Sequence, residues 1–279
     1  MMWTTLVTDN RTLLEEEWCK QYNKRLLSLS EAFPKLLYHT ISCKEILILA
    51  KEQKALDLAN RLHIPAVGLE IKEGVLFTGT PYILQGLGEE SMAFLERVYR
   101  RYYDMPVVRI ETQRLFIREM QKSDTDNLFR LYHCEDVKQQ VAQADFGYEE
   151  LCDFIESYRN IRYPLYDYGM WVLEEKDTGE FVGEAGIEED SYGEGKEISL
   201  EAGYVVAPKY RRRGYGAEAL QGILAFVREQ SEDYGWKQIS CYIHKNNTAS
   251  IRMAKKCGFQ YQTGGYGKER DLDQYSFML

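Results

Sequence analysis

Residues 207–220 read APKYRRRGYGAEAL, and residues 198–206 before them read ISLEAGYVV. The earlier stretch has the length and side-chain types of a strand. The later one sets Arg211, Arg212 and Arg213 against Gly214 and Gly216, then runs directly into helix-forming residues. A helix start leaves about four backbone N–H groups unpaired and carries about half a positive charge. Glycines there let an anion approach the backbone, and arginine forks match phosphate geometry. These residues therefore describe a phosphate or pyrophosphate site. No GKS or GKT follows, which excludes a Walker A loop, and the early GxGxxG of a dinucleotide fold is absent.

The segments around this loop predict a mixed sheet with helices on its faces. RLFIREM at 114–120 alternates like a strand, and SDTD at 123–126 offers helix caps before Leu128, Leu131 and Tyr132. The stretch YGMWVLEEKDTGEFVGEAGIEE at 168–189 reads as a hairpin turning at Asp177-Thr178-Gly179, and Glu197 to Val206 as a third strand. Ala217 to Val227 carries a helical stripe of Leu220, Ile223, Leu224 and Val227. Lys237 to Ile243 reads as a strand, Thr248 to Lys256 as a helix, and 259–264 and 273–279 as closing strands. Strands followed by a βαβα run place this part of the chain among α/β (α+β) folds.

Upstream, residues 1–106 read as a separate small α/β domain, leaving 107–279 as the second. EILILA at 45–50, a helix over 54–62 and IPAVGLEI at 64–71 form a βαβ unit with a parallel strand pair. A helix from Glu89 to Tyr102 ends before Asp104-Met105-Pro106, where the residue preceding proline leaves the helical region. Asp9, a lone carboxylate in LVTDN, reads as a turn or cap residue. The stretches ILAKEQKALDLANRLHIPAVGLE and GTPYILQGL resemble part of a haloacid-dehalogenase-like domain. The paired N-terminal aspartates that such a phosphatase needs are missing, so this domain is expected to be structural or regulatory.

Composition narrows the function. A net charge of −9 argues against a general nucleic-acid binder, and no apolar run reaches the roughly 18 residues of a membrane span. The six cysteines are scattered, without metal-ligand spacing, and read as reduced thiols of a cytoplasmic protein with no metal site.

Arg211-x-x-Gly214-x-Gly216, between a strand and a helix, resembles the acyl-CoA signature of the GNAT N-acyltransferase superfamily. EAGYVVAPKYRRRGYGAEAL, ETQRLFIREM and HKNNTASIRMAKKCGF at 244–259 are together similar to the branch that holds the ribosomal-protein N-terminal acetyltransferases. The resemblance covers about 170 residues and implies a mostly antiparallel sheet flanked by helices. It implies acetyl-CoA as cosubstrate, its pyrophosphate held by Arg211, Arg212, Arg213 and the amides of Arg213, Gly214, Tyr215, Gly216 and Ala217. The pantetheine arm would lie along the free edge of Val205 and Val206, with Asn247 and Ser250 near the sulfur. Asn247 also reads as a helix cap.

Transfer to an amine needs a route for the ammonium proton, donors for the oxyanion and an acid for the thiolate. Glu201, five residues before Val206 on the same strand, is the candidate base because the resemblance implies a glutamate there, against the plainer reading of a surface or salt-bridged glutamate. Many relatives carry a tyrosine four residues before the closing Gly-Phe; here Ala254 stands there. Ser250, another tyrosine or solvent is left to serve as acid. The acids Glu184, Glu188, Glu189, Asp190, Glu194, Glu197 and Glu201 face only Lys196, which reads as a solvated loop or a lip for a cationic amine. His133 and His244 read as surface or packing residues, and Trp171 as core.

The expected function is direct transfer of an acetyl group to a small-molecule or peptide amine, in a protein that could form a homodimer. The alternative is an acyl-CoA-binding regulatory module signalling through the first domain.

Overall fold

The computed structural model describes residues 2–70, 77–138, 141–190, 192, 199–267 and 271–279. The chain divides into two compact units, Met1–Val107 and Val108–Leu279. The first orders β1 (Thr5–Thr8), α1 (Leu13–Gln21), β2 (Arg25–Ser28), α2 (Leu29–Leu37), β3 (Ile46–Ala50) and α3 (Gln53–Leu62). It continues through β4 (Ala66–Leu69), β5 (Ile83–Leu84) and α4 (Ser91–Tyr102). The expected strand pair, β3 and β4, lies inside a five-stranded parallel sheet of order β2-β1-β3-β4-β5. The additional strands are only two to four residues long, which makes their periodicity hard to read.

Strand β3 is buried on both faces, as its unbroken apolar run requires. Ile46, Ile48 and Ala50 join a cluster with Ala55, Leu56 and Ala59 of α3, while Leu47 and Leu49 join one with Trp18 of α1 and Leu95 of α4. Asp9 follows β1 and accepts the amides of Lys51 and Glu52 at 2.8 and 2.7 Å, holding the entrance of α3 as a cap does.

The second unit opens with β6 (Val108–Glu111), β7 (Leu115–Arg118), α5 (Thr125–Tyr132), α6 (Tyr148–Ser157) and α7 (Tyr163–Tyr166). It continues with β8 (Met170–Glu175), β9 (Phe181–Glu189), β10 (Ser199–Val206), α8 (Tyr215–Tyr234) and β11 (Gln238–His244). It closes with α9 (Thr248–Lys256), β12 (Gln260–Tyr266) and β13 (Leu272–Met278). The eight strands form one sheet of order β12-β13-β11-β10-β9-β8-β7-β6. Every pair is antiparallel except β10–β11, which the crossover through α8 makes parallel.

Trp171 is fully buried and meets Phe226 of α8 edge to face, so the core reading holds. Two helical stretches differ from the expectation. Helix α8 runs on to Tyr234, and Gly235 ends it in the left-handed conformation. The helical region 148–166 is not foreshadowed, although Leu151, Ile155 and Tyr158 bury one stripe. A π-helical turn over Tyr158–Arg162 and Pro164 blur its period.

One irregularity in the sheet prepares the site. Strand β10 keeps its β9 partner from Leu200 to Val206, but pairs with β11 only over Ser199–Glu201. Beyond Glu201 the two parallel strands part. On the side left by β11, the backbone over 202–205 has no strand partner among the described residues, while the Val206 carbonyl accepts from Arg211.

Candidate active site

The basic loop leaves β10 at Val206 and enters α8 at Tyr215. Arg212 and Gly214 both take left-handed backbone angles, at φ of 61° and 87°. Helix α8 starts its own ladder with Glu218 N–H donating to the Gly214 carbonyl at 3.0 Å. The amides of Tyr215, Gly216 and Ala217 thus have no acceptor within the helix. Arg114, in the turn between β6 and β7, clamps this start. Its Nε donates to Glu218 at 2.7 Å and its Nη1 to the Arg213 carbonyl at 3.0 Å, and its guanidinium lies 4.2 Å from the Tyr215 ring centre.

A cavity of about 610 Å³ opens in front of these amides. Strand β10 lines it with Val205 and Val206, and the loop with Arg211, Arg212 and Gly214. The first turn of α8 adds Tyr215, Gly216 and Ala217, and α9 adds Asn247 and Ser250. Arg213 does not line it; its guanidinium lies over the Tyr210 ring at 5.7 Å. Arg211 donates from Nε to the Val206 carbonyl at 2.8 Å and pairs with Asp136, so it also anchors the loop. Arg252 and Lys256 of α9 line the cavity and were not singled out by sequence. Their four-residue spacing puts both cations on one helix face, which was the available signal.

A second cavity, of about 320 Å³, shares Tyr204, Val205, Asn247 and Ser250 with the first. Three carboxylates, Glu184, Glu188 and Glu201, line it beside neutral polar groups and His244. Here the solvated-loop reading of the acids needs correction. Glu184 is a residue of β9, 3% exposed, and burial pushes its pKa up to about 7. Tyr132 donates to its Oε2 at 2.7 Å. Glu188 accepts the Tyr158 hydroxyl and faces Arg162 at 3.8 Å, while Glu189 pairs with Arg162. Asp190 accepts from Tyr242 at 2.8 Å. Glu194, Lys196 and Glu197 lie outside the described residues.

Glu201 is half-buried and stands directly opposite Glu188, at the point where the fork begins. Asn247 caps α9, accepting the Ser250 amide at 3.1 Å, while also lining both cavities. Tyr204 donates to the Ser250 carbonyl at 3.4 Å, and burial raises its pKa. Ala254 is fully buried. His133 stacks on Phe129 and His244 pairs with Asp271 at 2.6 Å, although His244 also edges the second cavity.

The profile of the acetyltransferase (GNAT) domain matches residues 114–260, just over half of the chain. The chain belongs to this family. A curated relative, the uncharacterised protein YkkB of Bacillus subtilis (strain 168), is 34% identical over 101 residues. That match takes 34% of this chain and 53% of YkkB, so the chain spans about half the length of this relative.

Among solved structures, one of a Bordetella pertussis protein assigned to the GNAT acetyltransferases superposes with a TM-score of 0.50 at 22% identity. It covers 60% of this chain and 97% of its own. Another, of a Vibrio cholerae protein assigned as a ribosomal-protein-serine acetyltransferase, has a TM-score of 0.50 at 23% identity, covering 63% and 98%. Both likenesses concern the fold.

Proposed function

We propose that this protein transfers the acetyl group of acetyl-CoA directly to a primary amine within a ternary complex. One observation carries the reading: a cavity with cationic and amide donors meets an acid-lined cavity along a wall built by Tyr204, Val205, Asn247 and Ser250. In this reading the α8 amides, with Arg212, Arg252 and Lys256, hold the pyrophosphate of acetyl-CoA. The β10 edge around Val205 and Val206, where β11 no longer pairs, holds the pantetheine arm. The carboxylates of the second cavity, Glu201 among them, attract the ammonium ion and take its proton. Ser250 and Tyr204 are the hydroxyls beside the shared wall and so the candidates for protonating the leaving thiolate.

Direct transfer is favoured over an acyl-cysteine intermediate. Cys241 borders the second cavity, but burial raises its pKa and keeps the thiol protonated, and a neutral thiol is a poor nucleophile. A second reading, an acyl-CoA-binding regulatory module without turnover, has support in Ala254, which leaves no hydroxyl at that position of α9.

The test is thermal denaturation with acetyl-CoA, CoA and ATP side by side, then thiol release in the presence of amines. Ligand at a hundred times its Kd adds about 2.7 kcal/mol. Stabilisation by acetyl-CoA and CoA but not ATP is expected, with thiol release on adding an amine. Binding without release would favour the regulatory reading; no binding would overturn both. Gly216→Trp supplies the control. A Cβ at Gly216 would sit 2.9 Å from the Met253 sulfur, and an indole would extend over the amides. The stabilisation by acetyl-CoA should vanish in this variant.

A further inference from the structure

The ammonium proton has to leave the amine where the two cavities meet, and this location separates the carboxylates of the second cavity. Resting on the proposed transfer to an amine, we infer that the acceptor is a compact primary amine entering as its ammonium ion and that Glu184 takes its proton. Glu184 stands directly across the strand pair from Val205, a residue of the shared wall. Glu201 lies four residues along β10 from Val205, about 13 Å of extended chain.

Glu184 Oε2 is held by Tyr132, whereas Oε1 accepts no hydrogen bond among the described residues. A carboxylate this buried, bordering a cavity with half its acceptors unused, is set to receive a donor. Between the two ends Gly203 lines the cavity, and Met170 packs over it and over its β9 partner Gly186. The cavity of about 320 Å³ left beside Met170 suits a small substrate rather than a bulky one. Its ammonium would reach Glu184, and its remainder would extend toward Glu188 and Glu201.

The groups facing Glu184 are the Tyr132 hydroxyl from α5, Tyr158 from the π-helical turn, Tyr163 from α7 and Glu188 from its own strand. The cavity adds Glu201, Tyr204, Cys241, Tyr242 and His244, the last held by Asp271. Arg162 is directed to Glu188 and Glu189. Glu184 accepts one proton from R–NH₃⁺, and the freed lone pair forms the C–N bond to the thioester carbonyl. The C–S bond breaks and the sulfur keeps its electron pair. The thiolate takes a proton from Ser250 or Tyr204 to give CoA-SH, that hydroxyl recovers the second nitrogen proton, and Glu184 returns its proton to solvent.

The experiment uses the full chain and its Glu184→Gln, Glu201→Gln and Tyr132→Phe variants. Calorimetry first measures acetyl-CoA binding. CoA release with propylamine, 1,3-diaminopropane, glycinamide and an alanine-led hexapeptide then gives kcat/KM between about pH 6 and 9. The expected wild-type profile rises to a plateau with a midpoint near 7 for the small amines. Glu184→Gln should lose about a hundredfold in kcat/KM, and the rise with it, while acetyl-CoA binding is retained. Glu201→Gln should keep the midpoint on a lower plateau, and Tyr132→Phe should move the midpoint upward by removing a bond to the carboxylate.

The assignment is overturned if Glu184→Gln keeps both the midpoint and a rate within about threefold of wild type, or if the midpoint disappears only in Glu201→Gln. Acetyl-CoA binding with turnover of the peptide alone, or of no amine, overturns it while sparing the cofactor site. Absence of acetyl-CoA binding overturns the transferase reading and this inference together.

Discussion

Glu184 also leaves a mark on stability that needs no substrate. Its folded pKa of about 7 lies above the ordinary 4.5, so between those values the native state holds more protons than the unfolded chain. Stability from this group is therefore highest below pH 4.5 and falls as pH rises through 7. A shift of that size corresponds to about 3 kcal/mol. In Glu184→Gln the decline should disappear, leaving the variant more stable than wild type at pH 8 relative to pH 5. Urea denaturation at both values measures it, and an unchanged pH slope would place the titrating group elsewhere. No reading of the chain assigns this burial to Glu184, because FVGEAGIEED looks locally like the end of a polar hairpin. By contrast, the left-handed Gly214 and the capping Asn247 are both legible. Their roles depend on neighbours three or four residues away.

Between residues and the molecule stand the loop and its clamp. The strand, basic loop and helix of 198–220 are legible because alternation, paired glycines and a helical stripe follow one another without interruption. Arg114 is different. It lies in a stretch read as a strand opening, yet it joins the turn after β6 to Glu218 and to the Arg213 carbonyl. Arg114→Ala should leave the cavity lining intact and loosen the α8 entrance. Acetyl-CoA binding should weaken by roughly tenfold, equivalent to about 1.4 kcal/mol, through faster dissociation. Stopped-flow release of a fluorescent CoA analogue would measure this, and an unchanged off-rate would show the loop holds its shape without the clamp. The partly irregular helical segment 148–166 was the element least visible in advance. Its Tyr158 donates to Glu188 of β9 and its Arg162 pairs with Glu189, so its packing answers to side chains far along the chain.

Each compact unit of the whole molecule has its own core. The clusters around β3 draw only on residues before Val107, and the cluster around β8–β11 only on residues after it. All residues of both cavities fall in the second unit. A fragment spanning 108–279 should therefore fold and bind acetyl-CoA with the affinity of the full chain, within about threefold. Calorimetry on the two proteins decides this; loss of binding in a folded fragment would assign the first unit a part in the site.

What the sequence by itself determined is local: the α8 start with its glycines and cations, the cap of α9, the parallel crossover from β10 to β11, and membership of an acyl-CoA-using class. Sterics, capping and periodicity act over a few residues, so they can be read along the chain. Only the tertiary structure decided which carboxylate faces Val205, where the strands part, and how deeply Glu184 is buried. Strand register and burial join residues far apart in sequence, such as Tyr132 and Glu184, and a pKa follows from that surrounding rather than from the residue's neighbours in the chain.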